Sequence, residues 1–284
     1  MCDSYPSLRK TEYLSNVFIS VKTSFKFGSS RLPPILTTWY PSARNSTFFF
    51  SDESKAGEEA PLLEGGHLVT TNCPSDHSRR ALCCKMQAEL ETFLLSPRSK
   101  DWFCHLDDDN YLHVPGLLSL LGGYRADKAW YLGKASTSQP LTLRDRQTGQ
   151  PLSFRFATGG AGFCLSRPLV EIMDVAQLMK VGDSIGLPDD VTVGFLAEVR
   201  GKVALTQVSA FHSHLEPLER IDRENLREII TFSYKYSKDT PQGNVINAQP
   251  EGSEGEDDTR FRAAHKILND GNQKLELLYQ NQNG

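Results

Sequence analysis

An apolar run at residues 102–106, WFCHL, ends abruptly in three consecutive aspartates, Asp107, Asp108 and Asp109. An apolar run with polar flanks predicts a short buried strand, and the C-terminal ends of strands are where open α/β sheets bind ligands. Three adjacent carboxylates repel one another unless a cation neutralises them. Because strand side chains alternate between faces, Asp107 and Asp109 are predicted to converge on one ion, and oxygen ligands favour Mg²⁺, Mn²⁺ or Ca²⁺. The alternative interpretation is a solvated acidic turn.

Length and composition bound the class of protein. The chain has 284 residues, which suits one large domain or two small ones. Its hydrophobic content of 39% and charged content of 23% are ordinary for a globular protein, and a net charge of -4 gives no argument for nucleic-acid binding. No apolar run reaches the roughly 18 residues that span a membrane, and residues 1–15 lack a signal-peptide core. The sequence is expected either to be cytosolic or to begin after a targeting segment.

The cysteines bear on whether the protein resides in an oxidising or a reducing compartment. The chain has six of them and no C-x-x-C pair, which disfavours a zinc site. The triplet Asn45-Ser46-Thr47 is a glycosylation sequon. Together, pairable cysteines and a sequon point weakly to an oxidising compartment.

The first half of the chain alternates strand and helix patterns. Strands are predicted at residues 16–21, 47–50 and 67–71, with helices at 31–40, from 76 onward and at 115–121. In the second helix, Leu82, Met86, Leu90 and Phe93 recur at helical spacing and predict a buried face. Residues 53–66 are predicted to be a polar, glycine-rich loop. This alternation favours a parallel α/β sheet of nucleotide-binding type.

The second half carries further candidate site residues. Strands are predicted at residues 152–157, 163–166 and 204–208, and helices at 168–179 and 191–199. The glycine-rich segment TGGAG at 158–162 lacks Rossmann and P-loop spacing, which disfavours dinucleotide and ATP binding. Asp189 and Asp190 precede a helix, where capping is the simple alternative to a catalytic role. His212 and His214, following a strand, are predicted to share one face, a common ligand geometry.

Four motifs in this order, WFCHLDDDNYL, FATGGAGFCLSR, LPDDVTVG and FHSHLE, resemble the fringe glycosyltransferases. The resemblance covers roughly residues 16–268. It implies an α/β GT-A fold with a mixed central sheet flanked by helices. The implied organisation is an N-terminal extension at 1–15, a catalytic domain at 16–248 and an acidic linker with a C-terminal segment at 249–284. A nucleotide-binding half of the domain would cover about 16–110 and an acceptor half about 111–248.

The same resemblance implies roles for individual residues. Asp109 and His214 match the positions that bind Mn²⁺, Asp108 and Arg31 match donor-contacting positions, and Asp190 matches the catalytic base. The implied reaction is inverting transfer of N-acetylglucosamine from UDP-GlcNAc to O-linked fucose on EGF-like repeats, such as those of Notch. The chemistry is consistent, since a divalent cation stabilises a diphosphate leaving group and a carboxylate suits a general base.

The sequence also departs from the family pattern. Val191 stands where the family carries a cysteine after Pro-Asp-Asp, and His265-Lys266 replaces a His-Cys pair. Arg155 occupies a usually aromatic position near the expected acceptor cleft. Two alternatives therefore stay open: a β-1,3-glucosyl- or galactosyltransferase, and an inactive relative that binds glycans or proteins.

Two disulfides are expected, Cys73–Cys84 and Cys104–Cys164, with Cys83 as a competitor for Cys73 and Cys2 unpaired. Residence in the Golgi lumen is expected, as a type II protein whose N-terminal membrane anchor is absent from this sequence. No nucleic-acid partner is expected.

Overall fold

The structure is a computed structural model that describes residues 14–52, 67–144, 149–237, 240–248 and 258–269. Its helices are α1 (Phe25–Leu36), α2 (Tyr40–Ala43), α3 (Arg79–Leu95), α4 (Val114–Gly122), α5 (Arg167–Ile172), α6 (Leu178–Ile185), α7 (Asp189–Gly194) and α8 (residues 261–269). Its strands are β1 (Val17–Lys22), β2 (Thr47–Ser51), β3 (His67–Thr70), β4 (Trp102–Asp107), β5 (Tyr111–Leu112), β6 (Tyr131–Gly133), β7 (Leu141–Arg144), β8 (Pro151–Phe154), β9 (Phe163–Ser166), β10 (Leu205–Gln207), β11 (Thr231–Phe232), β12 (Lys235–Ser237) and β13 (Thr240–Asn244). A π-helical turn, Phe195–Arg200, continues α7.

Within the described residues, seven strands form one sheet in the order β10-β6-β9-β4-β1-β2-β3. β1 runs parallel to both β2 and β4, whereas β9 runs antiparallel to its neighbours β4 and β6. The α/β class with a mixed central sheet and flanking helices is therefore confirmed. The parallel sheet predicted from strand–helix alternation in the first half of the chain is confirmed, since β1, β2, β3 and β4 pair in parallel, and the antiparallel strand β9 belongs to the second half. The glycine segment before β9 lies at the carboxyl end of β4, so the strand that follows it runs in the opposite direction.

The two faces of the sheet build two separate cores. In β1, Val17, Ile19 and Val21 enter the first core and Phe18 enters the second, as the two-residue period of a strand requires. Helices α1, α4 and α8 cover the first face, through buried residues Leu32, Ile35, Leu117, Leu121, Phe261, Ala264 and Leu268. Helix α3 covers the second face through Met86, Leu90 and Phe93, which confirms its predicted apolar stripe. Leu82 of that stripe is half-buried.

Two of the predicted helices differ most from the structure. Helix α1 begins at Phe25 rather than at residue 31, because the carboxylate of Asp52 accepts a hydrogen bond from the Phe25 backbone N–H at 2.7 Å. Pro33 and Pro34 consequently lie inside the helix rather than near its start. The helix predicted at 168–179 is broken, since Asp174 adopts a left-handed conformation with φ of 50° between α5 and α6.

Several expectations lie outside the described residues. These are the glycine-rich loop at 53–66, most of the N-terminal extension, and residues 249–257 of the acidic segment. Among the residues that are described, none of the helices is both long and apolar enough to cross a membrane.

Among the described cysteines, Cys73 is bonded to Cys84 and Cys104 to Cys164, and Cys83 is free and buried. Both predicted disulfides are confirmed. The second joins two positions that face each other across the antiparallel β4–β9 pair. It closes a chain segment of 60 residues, against 11 for the first.

Removing Cys104–Cys164 as a pair of alanines is expected to lower the free energy of unfolding by about 2–4 kcal/mol, because a longer closed loop restricts the unfolded chain more. Chain entropy alone predicts that this loss exceeds the loss on removing Cys73–Cys84 by about 1.5 kcal/mol. Urea unfolding of the two double variants measures the difference. An equal or smaller loss for the Cys104–Cys164 pair would contradict the prediction.

Candidate functional site

The acidic turn is built by the end of β4 and a buried asparagine. Asp107 is the last residue of β4, and Asp108 and Asp109 lie in the turn that follows it. Asn110 accepts a hydrogen bond from the Asp107 N–H at 2.8 Å and donates to the carbonyl of Gly160 at 2.8 Å. The acidic turn is thereby tied to the glycine segment. Strand alternation therefore does not govern the direction of the Asp109 side chain.

A cleft of about 950 Å³ opens at this carboxyl edge of the sheet. Its lining includes all five residues to which the family resemblance assigns a role: Arg31, Asp108, Asp109, Asp190 and His214. It also includes cationic and aromatic side chains, namely Lys22, Lys26, Phe27, Lys85, Tyr234, Lys235 and Tyr236. Residues far apart in the chain thus meet at one polar cleft, at the sheet edge where α/β proteins bind ligands.

Asp109 and His214 form the candidate metal-binding pair. His214 Nδ1 lies 3.8 Å from Asp109 Oδ2, and Asp109 Oδ1 is buried without a hydrogen-bond partner. Burial, reinforced by Asp107 and Asp108, raises the pKa of Asp109, and burial lowers the pKa of His214. An unpartnered carboxylate oxygen beside a neutral imidazole fits a divalent cation such as Mn²⁺. In the described part of the chain, no three His, Cys, Asp or Glu residues are arranged to hold an ion.

The Asp108 carboxylate is bound by side chains that follow β1 and lie on α1. Its two carboxylate oxygens accept hydrogen bonds from Arg31 Nη1 at 2.7 Å and Thr23 Oγ1 at 2.8 Å. The Arg31 guanidinium lies 4.3 Å from the centroid of the Phe27 ring. Asp108 therefore holds the side chain of Arg31, a residue of α1, at the cleft.

Asp189 and Asp190 are adjacent, yet their environments differ. Asp189 forms a buried ion pair with Lys22. Asp190 accepts hydrogen bonds from the N–H groups of Gly159 at 3.3 Å and Val191 at 2.8 Å. Burial, together with the neighbouring Asp189, raises the pKa of Asp190 to about 6. A carboxylate with a pKa close to the working pH has the property required of a general base.

The glycine segment forms the floor between the metal pair and Asp190. A Cβ at Gly159 would lie 3.6 Å from the Asp190 Cβ, and one at Gly160 would lie 3.6 Å from His214 Cε1. Gly162 has a φ of +77°, and a Cβ there would lie 2.9 Å from the His105 carbonyl oxygen. Adjacent glycines therefore bring the two functional groups to neighbouring positions without side chains between them.

A buried charge network beneath the cleft was missed from the sequence. His105 Nδ1 lies 2.7 Å from Glu89 Oε2, and its Nε2 lies 3.4 Å from Asp107 Oδ1. Lys22 Nζ lies 3.8 Å from Asp107 Oδ1. Burial and Lys22 lower the pKa of His105, but Glu89 and Asp107 outweigh them and raise it to about 9. Asp107 therefore directs its Oδ1 towards Lys22 and His105, and its convergence with Asp109 on one ion stays a prediction.

His212 and His214 do not act as a pair, contrary to the expectation that they share one face. His212 Nδ1 lies 3.2 Å from Glu216 Oε1, and Glu216 also pairs with Lys134. His214 instead lies beside Asp109. The segment follows β10 without continuing it, so the two-residue alternation of a strand does not apply.

Comparisons with known proteins identify the relatives of this chain. The family described as Fringe-like matches residues 12–272. The Drosophila melanogaster "Fringe glycosyltransferase" is 46% identical over 241 residues, covering 82% of this chain and 57% of that protein. The human "Beta-1,3-N-acetylglucosaminyltransferase lunatic fringe" is 39% identical over 257 residues, covering 88% of this chain and 66% of that protein. A solved glycosyltransferase structure, from the glycosylation of the major capsid of PBCV-1, has a TM-score of 0.40 at 11% identity. It covers 76% of this chain and 93% of that one, which is too distant to carry an argument.

The α/β fold, the polar cleft at the carboxyl edge of its sheet and these relatives define the class as glycosyltransferase-like. The chain belongs to the fringe family. It spans only 57% of the length of the Drosophila relative.

Proposed function

We propose that this chain is the catalytic domain of an inverting, metal-dependent β-1,3-N-acetylglucosaminyltransferase. Its donor would be UDP-GlcNAc, and its acceptor the 3-hydroxyl of O-linked fucose on EGF-like repeats of Notch-type glycoproteins. The donor and acceptor classes come from the family. The observation that carries the proposal is that adjacent glycines, Gly159 and Gly160, separate Asp190 from the Asp109–His214 pair within one cleft.

Asp109 and His214 would hold the metal, and the bound metal would stabilise the negative charge that develops on the departing diphosphate. Arg31, held by Asp108, lies on the same cleft and would bind a donor anion. Arginine suits this role because its planar guanidinium matches phosphate oxygens.

Asp190 would take the proton of the acceptor hydroxyl. The acceptor oxygen then forms a bond to the anomeric carbon as the bond from that carbon to the diphosphate breaks, and UDP leaves. A base on the face opposite the leaving group gives direct displacement, so an α-linked donor yields a β-linked product. Asp189 is unsuited to this role because Lys22 already engages its carboxylate.

Release of UDP, measured with a panel of UDP-sugars, Mn²⁺ and an O-fucosylated EGF-like repeat, tests the proposal. UDP-GlcNAc with the fucosylated repeat is expected to give the fastest turnover, and the unfucosylated repeat serves as the matched control acceptor. Preference for UDP-glucose or UDP-galactose would instead support the related transferase. No UDP release with any donor and acceptor would support a binding protein.

Mn²⁺ is expected to bind weakly without nucleotide, because two side chains leave most of its coordination shell to water. UDP is expected to tighten Mn²⁺ binding by roughly 5–150-fold, the usual range for coupled ligands. Calorimetry with and without UDP measures this coupling, and Asp109→Asn should reduce metal affinity in both cases. Equal manganese affinity with and without UDP would contradict the prediction.

We further propose residence in the Golgi lumen, with membrane attachment through an N-terminal anchor outside this sequence. The two disulfides support an oxidising compartment. Microscopy of the native full-length protein, with thiol mapping, tests this. A cytosolic, fully reduced protein would contradict it.

A further inference from the structure

Lys22 is a buried lysine at the carboxyl end of β1. Its side chain is 8% exposed and forms an ion pair with Asp189 of α7. The β1–β4 register places Lys22 opposite Asp107, whose Oδ1 lies 3.8 Å from the ammonium. A buried ammonium needs such partners, because an unpaired charge in the interior is costly. The ammonium is therefore already engaged by protein carboxylates before any ligand binds.

The ion pair distinguishes two adjacent carboxylates at the start of α7. Asp189 is held to β1 by Lys22, while Asp190 is directed to the N–H of Gly159. Helix α7 has six residues and its N-cap residue, Pro188, supplies no side-chain hydrogen bond. The other end of α7 is fixed by a close approach, since a Cβ at Gly194 would lie 2.4 Å from the Phe156 Cβ. The Lys22–Asp189 ion pair thus ties the amino end of α7 to β1.

We propose that Lys22 is a positioning residue, which orients Asp190 towards the acceptor hydroxyl by holding Asp189. This inference rests on the proposed function. Lys22 acts through Asp189 and does not touch the reacting atoms. The competing role for a cleft lysine is direct binding of the donor diphosphate, and the two roles predict different kinetics.

The variants Lys22→Met and Asp189→Asn, alone and combined, distinguish these roles. Each single variant is expected to lower kcat by roughly 10–10²-fold, since small displacements of a catalytic group cost about that much. KM for UDP-GlcNAc and the affinity for UDP should change by less than about 2-fold. The reason is that neither variant removes a contact with the bound donor. The double variant should lose no more than the worse single variant, because both changes remove one shared contact.

Losses that multiply in the double variant, or a marked fall in UDP affinity for Lys22→Met, would overturn the proposal and assign Lys22 to the donor. Lys100→Met is the matched control, since Lys100 is a half-buried lysine that donates to the Val17 carbonyl at the opposite end of β1. It should retain the wild-type kcat.

Folding of each variant is checked by circular dichroism and its unfolding midpoint. If Lys22→Met does not fold, Asp189→Asn must still lower kcat with UDP affinity intact, because Lys22 there keeps Asp107 as a partner. An Asp189→Asn enzyme with wild-type kcat would overturn the inference. A wild-type chain that transfers no sugar would instead contradict the proposed function itself.

Discussion

Asp190→Asn is expected to lower kcat by roughly 10²–10⁴-fold, the usual contribution of a general base. Asparagine keeps the shape of the side chain and the oxygen that accepts from the Val191 N–H, but it has almost no proton affinity. Affinity for UDP with Mn²⁺ should persist, because Asp109 and His214 remain. Steady-state kinetics and calorimetry on the same preparation measure both quantities. If Asp190 only caps the helix, the change should cost about 1 kcal/mol of stability or less and leave turnover largely intact.

The dependence of kcat on pH gives a second test of the role of Asp190 as the base. Because the pKa of Asp190 is raised to about 6, acidification below that value protonates the base and should reduce kcat about tenfold per pH unit. This decline should be absent from the residual rate of Asp190→Asn. Saturating donor and Mn²⁺ keep the titration of the metal ligands from contributing. A folded Asp190→Asn enzyme with near-normal turnover, or a rate that is flat down to pH 5, would contradict the mechanism.

Lys85→Met is expected to lower the free energy of unfolding by about 3–5 kcal/mol, because it leaves a buried carboxylate without its partner. Lys85 of α3 donates to Asp52 Oδ2 at 3.1 Å and to the Thr23 carbonyl at 2.9 Å. The other oxygen of Asp52 accepts from the Phe25 N–H at the start of α1. One lysine therefore joins α3 to the ends of β1 and β2 and to the helix that carries Arg31. Urea unfolding measures the loss.

Two further variants distinguish the effect of an unpaired buried charge on stability from the effect of removing any lysine. Lys180→Met removes an exposed lysine and should change stability by about 0.5 kcal/mol or less. In Lys85→Met with Asp52→Asn, no charge is left unpaired and the amide still offers an acceptor to Phe25. This double variant should be more stable than Lys85→Met alone. A double variant that is less stable would show that the ion pair is not the source of the loss.

Patterns of apolar residues along the sequence predicted the strands and helices that are defined by neighbouring residues. The apolar run of β4 and the helical stripe of α3 are examples, since Phe103, Met86, Leu90 and Phe93 are all fully buried. The start of α1 was misplaced because its amino-terminal partner, Asp52, lies on a different strand. The break at Asp174 is carried by an aspartate with positive φ, where neither glycine nor proline marks the position. The direction of β9 was not readable because an apolar run gives no information about which way a strand runs.

The sequence likewise predicted part of the candidate site and left another part unpredicted. Motif resemblance selected five residues that the fold brings into one cleft: Arg31, Asp108, Asp109, Asp190 and His214. It did not reveal how Asp189 and Asp190 differ, because the distinction depends on Lys22, which is 167 positions from Asp189 in the chain. Similarly, His105 resembles an ordinary strand residue until Glu89 of α3 is placed against it. Long-range ion pairs of this kind leave no spacing signal in a sequence.

The position of β1 between β4 and β2 in the sheet has a consequence for folding during synthesis. All six residues of this strand are buried, and in the finished sheet it is flanked by β2 and β4. Its register joins Val17 to Trp102, so one edge stays unpaired until β4 has been synthesised. At ribosomal speeds of about 5–20 residues per second, that interval is on the order of 4–17 s. An unpaired apolar edge is a template for association with other chains. We therefore expect this fully buried strand to need shielding from other chains while the rest of the polypeptide emerges.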